Sequence, residues 1–547
     1  MTSENQKKYN YPPGLNEAEK EMFAETAGKL EYDGGMNRKE AEKAALEHIS
    51  SKRHDQYIST LDKEAEFQAA RNILKFKNDV EYEDVFEFFR QNIKNAMPRI
   101  HINSFHPTEL GQAEAAKLYL DDYIRYTDGT GWLAYDFLQG LYRADIAKHL
   151  LKDVLQILAQ ERYDLRNADN PKEYARYAEK AVTNYGIKQV MSLLESNLMA
   201  LDSDFDKNYY FLNCKSWTVD LRTGSMGPST PNHMHTKSTG YIPQEGDCPV
   251  FRKFLKEITL GDEELAAWLM RWFGYCLTGD TRAAYFVNFH GEGRNGKGTL
   301  LHVMRQIMGT YANELDQEVI VKNEKSNVKN ALANLVGLRA GFASDISAGT
   351  LNLNTLKKIT GGDELVAERK YQNSFPFRPI VKVTFSSNHI FRLSETDQAI
   401  RSRLRYVPFG YKAAGREDST LEDRILKEGP EILSWLIREA VEYLKNPGPK
   451  GFPPCKIIDE ATEDYIKSED IIGQFLEECT VSNQFEEVRA GALYEEYKKW
   501  SQGKGDNKPM SNQAFGRRMS ERGLNKGHSM TGTFYKGIRI LRDYEQN

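Results

Sequence analysis

The chain has 547 residues, 28% of them charged, and a formal net charge of −5. Such a length implies about three or four domains, each able to bury a core. The acidic balance excludes a global pull toward nucleic acid, so any such surface must be local. The five cysteines, Cys214, Cys248, Cys276, Cys455 and Cys479, are scattered without a CxxC pair. That argues against a disulfide framework or a zinc site and fits a reducing cytoplasm. No apolar run approaches membrane-spanning length and the N-terminus is polar, so no membrane partner is expected.

In chain order, residues 1–125 read as charged helices of unassigned role. Asn16 to Lys29 and Arg38 to Ser50 flank the turn Asp33-Gly34-Gly35. Alternating charge of this kind is what a solvated helix face carries. From Gly131 to Asp202 the pattern reads as helix again, with Leu150, Leu151, Val154, Leu155 and Leu158 at helical spacing. Tyr209 to Tyr241 is turn-rich and β-like and reads as a small sheet module. Cys248 to Gly279 returns to helix, with Trp268, Trp272 and Phe273 as expected core. The domains expected are 1–125, a helical plus small-β domain over 126–250, a domain over 251–450 that holds the Gly-rich loop described next, and a separate unit over 451–547.

Ala283 to His290 is short, apolar and aromatic, as a buried strand should be. Gly291-Glu292-Gly293-Arg294-Asn295-Gly296-Lys297-Gly298-Thr299 follows at once, and Leu300, Leu301 and Met304 begin a helical repeat. Strand, Gly-rich loop and helix in that order is the context of a phosphate-binding loop. Gly291, Gly293 and Gly296 let backbone N–H groups converge on phosphate oxygens. The helix adds its positive end, and Lys297 supplies a full charge for ATP phosphates. Gly298 stands where a Ser or Thr hydroxyl usually binds Mg²⁺, which leaves Thr299, or water, for that task.

Three further strands are expected after the loop. Arg339 to Asp345 ends in an acid, Pro379 to Asn388 in an amide, and Leu404 to Phe409 follows an arginine cluster. Alternating strands and helices imply a largely parallel α/β sheet, with ligands at the strand ends. An NTPase also needs an acid for Mg²⁺ or water, a group orienting that water, and a cation for developing charge. Asp345, Asn388 and Arg403 are the candidates. Capping a turn is the alternative use of Asp345, and turns also favour Asn. Arg401 and Arg405 rival Arg403. Between these strands, Leu365 to Arg369 and Phe375 to Arg378 read as hairpin arms with Lys370, Tyr371 and Gln372 at the tip. A lysine beside an aromatic suits a DNA backbone.

This order of motifs resembles the superfamily 3 helicases, in the branch of phage, plasmid and poxvirus-type primase-helicases. The resemblance covers Gly291–Thr299, Phe342–Asp345, Thr360–Phe377, Ser386-Ser387-Asn388 and Asp397–Phe409, and upstream Leu212–Gly224 and Trp268–Gly279. It implies a P-loop AAA+-like core that assembles as a hexameric ring. Lys297 would bind phosphate, Asn388 would be the sensor, and Arg403 the finger acting on the adjacent subunit. Lys370 would lie on the hairpin that tracks single-stranded DNA in the channel. The chain departs from the family in having Ser344 and Ile346 around a single acid, Asp345, with Asp363 as a further acid nearby.

The C-terminal unit reads as three helices, Asp470 to Glu478, Ala490 to Trp500 and Ser511 to Arg522, and a strand, Thr533 to Leu541. Ser511 suits an N-cap. Ala514, Phe515 and Met519 would face the core, leaving Arg517, Arg518 and Arg522 outward, with Lys526, Lys536 and Arg539 extending a basic surface. That suits a winged helix on duplex DNA, and a similar tail is typical of the resembling family. The function expected is an ATP-dependent replicative helicase of a phage or mobile element in a bacterial cytoplasm, using ATP and Mg²⁺, with a separate primase as a possible partner. The alternatives are an origin-binding initiator, a primase-helicase with its own primase activity, and a protein-remodelling AAA+ machine.

Overall fold

The computed structural model describes residues 17–32, 107–121, 123–164, 171–322, 328–344, 349–369, 373–388, 398–413, 418–504, 509–524, 526–529 and 532–541, with a few single positions between them. Asp345 and the hairpin tip Lys370, Tyr371 and Gln372 lie outside the described residues, as does most of the region up to residue 106. The chain divides into two compact units. One holds residues 1–138, 142–205 and 230–234; the other holds 139–141, 206–229 and 235–547. Among the described residues no helix is long and apolar enough to cross a membrane.

The first unit is mixed rather than helical throughout. Strands β1 (Ile124–Thr127) and β2 (Gly131–Asp136) pair antiparallel, and β3 (Leu141–Arg143) lies next to β2 in the same sheet. β2 reads as helix in the sequence because Trp132 to Asp136 is buried at every position, so the polar half of a strand's alternation is missing. Of the expected repeat, Leu151, Val154, Leu155 and Leu158 of the helix Ala144–Asp164 pack with Ile187, Val190 and Leu194 of the helix Asn184–Asn197, while the Leu150 side chain lies outside the described residues.

The second unit opens with the expected small sheet, β4 (Phe211–Cys214), β5 (Trp217–Asp220) and β6 (Met226–Pro228). Its main sheet has five strands, all parallel: β7 (Phe286–His290), β8 (Ala312–Glu314), β9 (Ala340–Ala343), β12 (Lys382–Ser387) and β13 (Leu404–Pro408). Their spatial order is β13-β7-β12-β9-β8. Both faces are covered, as a parallel sheet requires. Val287 and Phe289 of β7 join a core with the helices Glu263–Leu277, Lys297–Met308 and Gly429–Lys445, whereas Phe286 joins Val383, Phe385, Leu404 and Tyr406 on the opposite face. This is the period of two written in burial.

The helix Glu263–Leu277 holds the sheet in place. Trp272 donates its indole N–H to Thr384 Oγ1 of β12 at 2.9 Å. Gly274 allows the partner helix Gly429–Lys445 to approach closely, because a Cβ there would stand 2.6 Å from Glu439 Cβ. The expected hairpin is present as β10 (Leu365–Ala367) and β11 (Phe375–Phe377), paired antiparallel. At the C-terminal end, helices Ile471–Cys479, Ala490–Gly503 and Asn512–Glu521 pack against a three-stranded antiparallel sheet of β14 (Thr480–Arg489), β15 (Lys526–Ser529) and β16 (Gly532–Ile540). Phe475, Leu493, Tyr497, Phe515, Met519, Tyr535 and Ile538 form its core. Ser511 caps its helix, accepting from Ala514 N–H.

Candidate functional site

The loop Gly291 to Gly296 joins the end of β7 to the helix Lys297–Met308. Glycine is required at 296: its φ is +81°, and a Cβ there would meet Ile258 Cγ2 at 2.5 Å. Gly293 and Gly298 carry no such demand, since a Cβ at either meets nothing within 4 Å. Arg294 adopts φ 62° without being glycine, and its carbonyl accepts from Ala413 N–H at 3.1 Å. Glu292 pairs with Lys412 at 2.6 Å, two exposed groups across the rim of the loop. The Lys412 ammonium holds the Glu292 carboxyl below its usual range.

Lys297 is the hub. It is 4% exposed, and an ammonium that buried must be satisfied by acceptors. Its Nζ donates to Gly291 O at 2.7 Å, to Asn295 Oδ1 at 2.9 Å and to Asn388 Oδ1 at 3.2 Å. The Asn388 contact spans 91 residues of sequence. It exists because β12 is inserted beside β7 in the sheet, with Ser387 opposite His290. The next backbone link runs the same way, Gly291 N–H to Ser387 O at 3.3 Å. On the other side, Phe409 N–H donates to His290 O at 2.7 Å, so the chain leaving β13 also closes on the loop.

Thr299 is half-buried in the first turn of the loop helix, while Gly298 is exposed. The acid strand β9 lies on the far side of β12 from β7. An open cavity of about 420 Å³ lies at the ends of β8 and β9, lined by Glu314, Asp316, Gln317 and Ser344 among others. Around the arginine cluster, Arg401 pairs with Glu463 at 3.2 Å. The Arg405 guanidinium lies 3.8 Å from the Tyr285 ring centroid. Arg403, at the last turn before β13, is half-buried.

Among the basic residues of the C-terminal unit, Arg517 and Lys536 are exposed and Arg518 is half-buried. Arg522 is committed to Asp470, the N-cap of the helix Ile471–Cys479, and Arg539 pairs with Glu486 at 2.9 Å. Lys526 is exposed and its ammonium lies 5.8 Å from the Tyr535 ring centroid.

Two buried cations escape the sequence reading. Arg339 directly precedes β9 and Lys382 begins β12, and each is 2% exposed. Arg339 donates to Leu277 O and Phe211 O, both at 2.6 Å. Lys382 Nζ donates to Thr278 O and to Ile380 O. The two thus satisfy carbonyls at the end of the helix Glu263–Leu277, where its dipole favours positive charge.

A family model described as "D5 N terminal like" matches residues 114–260, and one described as "Family of unknown function (DUF5906)" matches residues 289–403. A protein of Acanthamoeba polyphaga mimivirus named "Putative helicase" is 23% identical over 55% of this chain and 34% of its own length. One of African swine fever virus named "Putative primase" is 23% identical over 46% of this chain and 28% of its own. The chain thus spans about a third of the length of these curated relatives. Among solved structures, the apo form of the NrS-1 C-terminal region aligns over 55% of this chain and 77% of its own, at 14% identity and a TM-score of 0.34. That likeness is too loose to bear on the fold. Over these two regions the chain is similar to the D5-like primase-helicases of large DNA viruses, consistent with the superfamily 3 primase-helicase branch.

Proposed function

We propose that this chain is an ATP-dependent DNA helicase, working as a homo-oligomeric ring that moves along one strand of DNA during replication. The observation that carries the reading is the meeting of Lys297, at the start of the loop helix, with Asn388, at the end of β12, 3.2 Å apart. One side chain offers charge to a phosphate and the other an amide to the water or phosphate beside it. The sheet order, with β12 between the P-loop strand and the strand leading to Asp345, supports an AAA+-like core. Three helices against an antiparallel sheet support a winged helix at the C-terminus.

The residues fit ATP with Mg²⁺. The loop helix presents its N-terminal N–H groups and Lys297 to phosphates. Thr299 and Asp345 would hold Mg²⁺, which when bound offsets phosphate charge. In this reading Asn388 orients the attacking water, and Arg403 is delivered to the nucleotide of the next subunit. Lys370, Tyr371 and Gln372 contact the translocating strand. Arg517, Lys536 and Arg518 face duplex DNA, with Arg522 reduced to a structural part by its bond to Asp470.

Unwinding of a forked DNA by the chain and by Lys297→Ala tests the reading, with ATPase and DNA binding read in the same samples. The expected result is at least about a hundredfold loss of ATPase and unwinding in the variant, with DNA binding retained. A wild-type chain that binds DNA and hydrolyses ATP yet never unwinds would replace the helicase by an origin-binding initiator. One that does neither would remove both.

A further inference from the structure

We propose that Asn295 is a positioning residue: its buried carboxamide ties the Lys297 ammonium to the backbone at the end of β13, and it acts on a nucleotide only through that lysine. The inference rests on the nucleotide-site reading above and names a part within it. Asn295 is 3% exposed. Its Oδ1 accepts from Lys297 Nζ at 2.9 Å, and its Nδ2 donates to Phe409 O at 3.3 Å. The oxygen faces the ammonium and would repel a phosphate oxygen. The donor end is turned to Phe409. A direct phosphate contact is therefore not what this side chain is built for.

The neighbouring glycine supplies an independent observation. A Cβ on Gly291 would stand 2.3 Å from Asn295 Nδ2 and 2.4 Å from Phe409 O. Glycine at 291 thus makes room for the bridge between Asn295 and Phe409. Its φ is not among the left-handed values, unlike that of Gly296. Phe409 is in turn fixed by its N–H to His290 O at 2.7 Å. The bridge therefore joins the end of β7, the loop and the end of β13 around one ammonium.

A lysine needs such help because its ammonium is a point charge on a flexible four-carbon stem. Holding it where the phosphate arrives removes freedom before binding rather than during it. The same anchor is shared with β13, which begins directly after Arg403. The lysine that reads a subunit's own phosphate and the strand that carries the arginine cluster are thus referred to one carboxamide.

A double-mutant cycle on nucleotide binding tests this with the full chain. Wild type, Asn295→Ala, Lys297→Ala and the double variant are titrated with a fluorescent ATP analogue in Mg²⁺, with thermal melting as a check on folding. Asn295→Ala is expected to weaken binding about tenfold, the scale of one hydrogen bond to a charged group. In the Lys297→Ala background the same change is expected to cost less than about twofold, because the group it positions is gone. Asn295→Asp keeps the shape and needs no second background. It should bind at least as poorly as Asn295→Ala, since its carboxylate faces both a phosphate and Phe409 O. Equal losses in the two backgrounds, unchanged affinity in Asn295→Ala, or wild-type affinity in Asn295→Asp each overturn the proposal while leaving the nucleotide site intact. Failure of the wild-type chain to bind the analogue removes the nucleotide-site reading and this proposal together.

Discussion

Gly298→Ser is the substitution on which the geometry of the loop makes its sharpest forecast. Residue 298 is the second of the helix Lys297–Met308. A Cβ there meets nothing within 4 Å, and its φ is not left-handed. A serine therefore enters without clash or strain. Replacing glycine at a compatible position narrows the unfolded ensemble and contributes about 0.4–1 kcal/mol of stability. Ordering the serine hydroxyl takes back a few tenths, roughly, so the net change is expected between zero and about 1 kcal/mol in favour of the fold. The functional consequence is separate. The hydroxyl arrives where a P-loop normally presents one to Mg²⁺. One added ligand on the scale of a hydrogen bond, about 1 kcal/mol, corresponds to about fivefold in apparent affinity. Steady-state ATPase titrated with Mg²⁺ at fixed ATP should then reach half-maximum at about a fivefold lower concentration. Thr299→Ala should raise the Mg²⁺ requirement in the wild-type background more than in the serine variant. An unchanged Mg²⁺ titration in a well-folded Gly298→Ser protein would show that residue 298 does not face the metal. A fall in melting temperature would show that the space beside it is not open.

Gly296→Ala should behave in the opposite way: the φ of +81° and the 2.5 Å approach to Ile258 together predict a loss of about 2–4 kcal/mol, measured by denaturant titration, with Gly293→Ala as the neutral control. Burial pushes the Lys382 ammonium down to about 7, below its usual value of about 10.4 in an unfolded chain. The unfolded chain then binds the extra proton between those two values, so stability should rise as pH goes from about 7 to 10, by up to about 1.4 kcal/mol per unit. Lys382→Met should lose that slope in melting curves taken across the range, and parallel curves for the two proteins would refute the assignment. Arg517→Ala and Lys536→Ala should each lower the slope of log affinity against log salt for duplex DNA by about 1. Arg522→Ala should instead lower the melting temperature by loss of its Asp470 contact, and leave the salt slope in place.

What a one-dimensional pattern carries is contiguous structure. The run from Phe286 to Met308 states its strand, loop and helix in adjacent residues, and the hairpin arms Leu365 to Arg369 and Phe375 to Arg378 likewise lie close together in sequence. Burial on both faces erases the alternation that marks a strand, which is why Gly131 to Asp136 reads as helix. β14 escapes for a different reason. Its pairing with β16 is broken by a register shift between Ser482 and Glu487, so no regular alternation runs through it.

Strand order is the larger omission, and it decides the chemistry. Nothing in Ser386-Ser387-Asn388 says that β12 lies beside β7, and Asn at a strand end is by itself an ordinary turn residue. Only that insertion brings Asn388 to Lys297. The far end of the same strand shows why the insertion is stable. Nothing in the sequence marks Lys382 as buried, yet its ammonium lies against Thr278 O and Ile380 O, and Trp272 holds Thr384 two residues along. Both restraints come from the helix Glu263–Leu277 and its C-terminal turn, more than a hundred residues earlier. A six-residue strand is about 20 Å long, so a helix upstream of the Gly291–Gly296 loop fixes, through Lys382 and Thr384, where Asn388 stands at the other end. Residues far from Lys297 thereby belong to the geometry that brings Asn388 to it. They are invisible to a motif because their partners are set by the fold rather than by spacing.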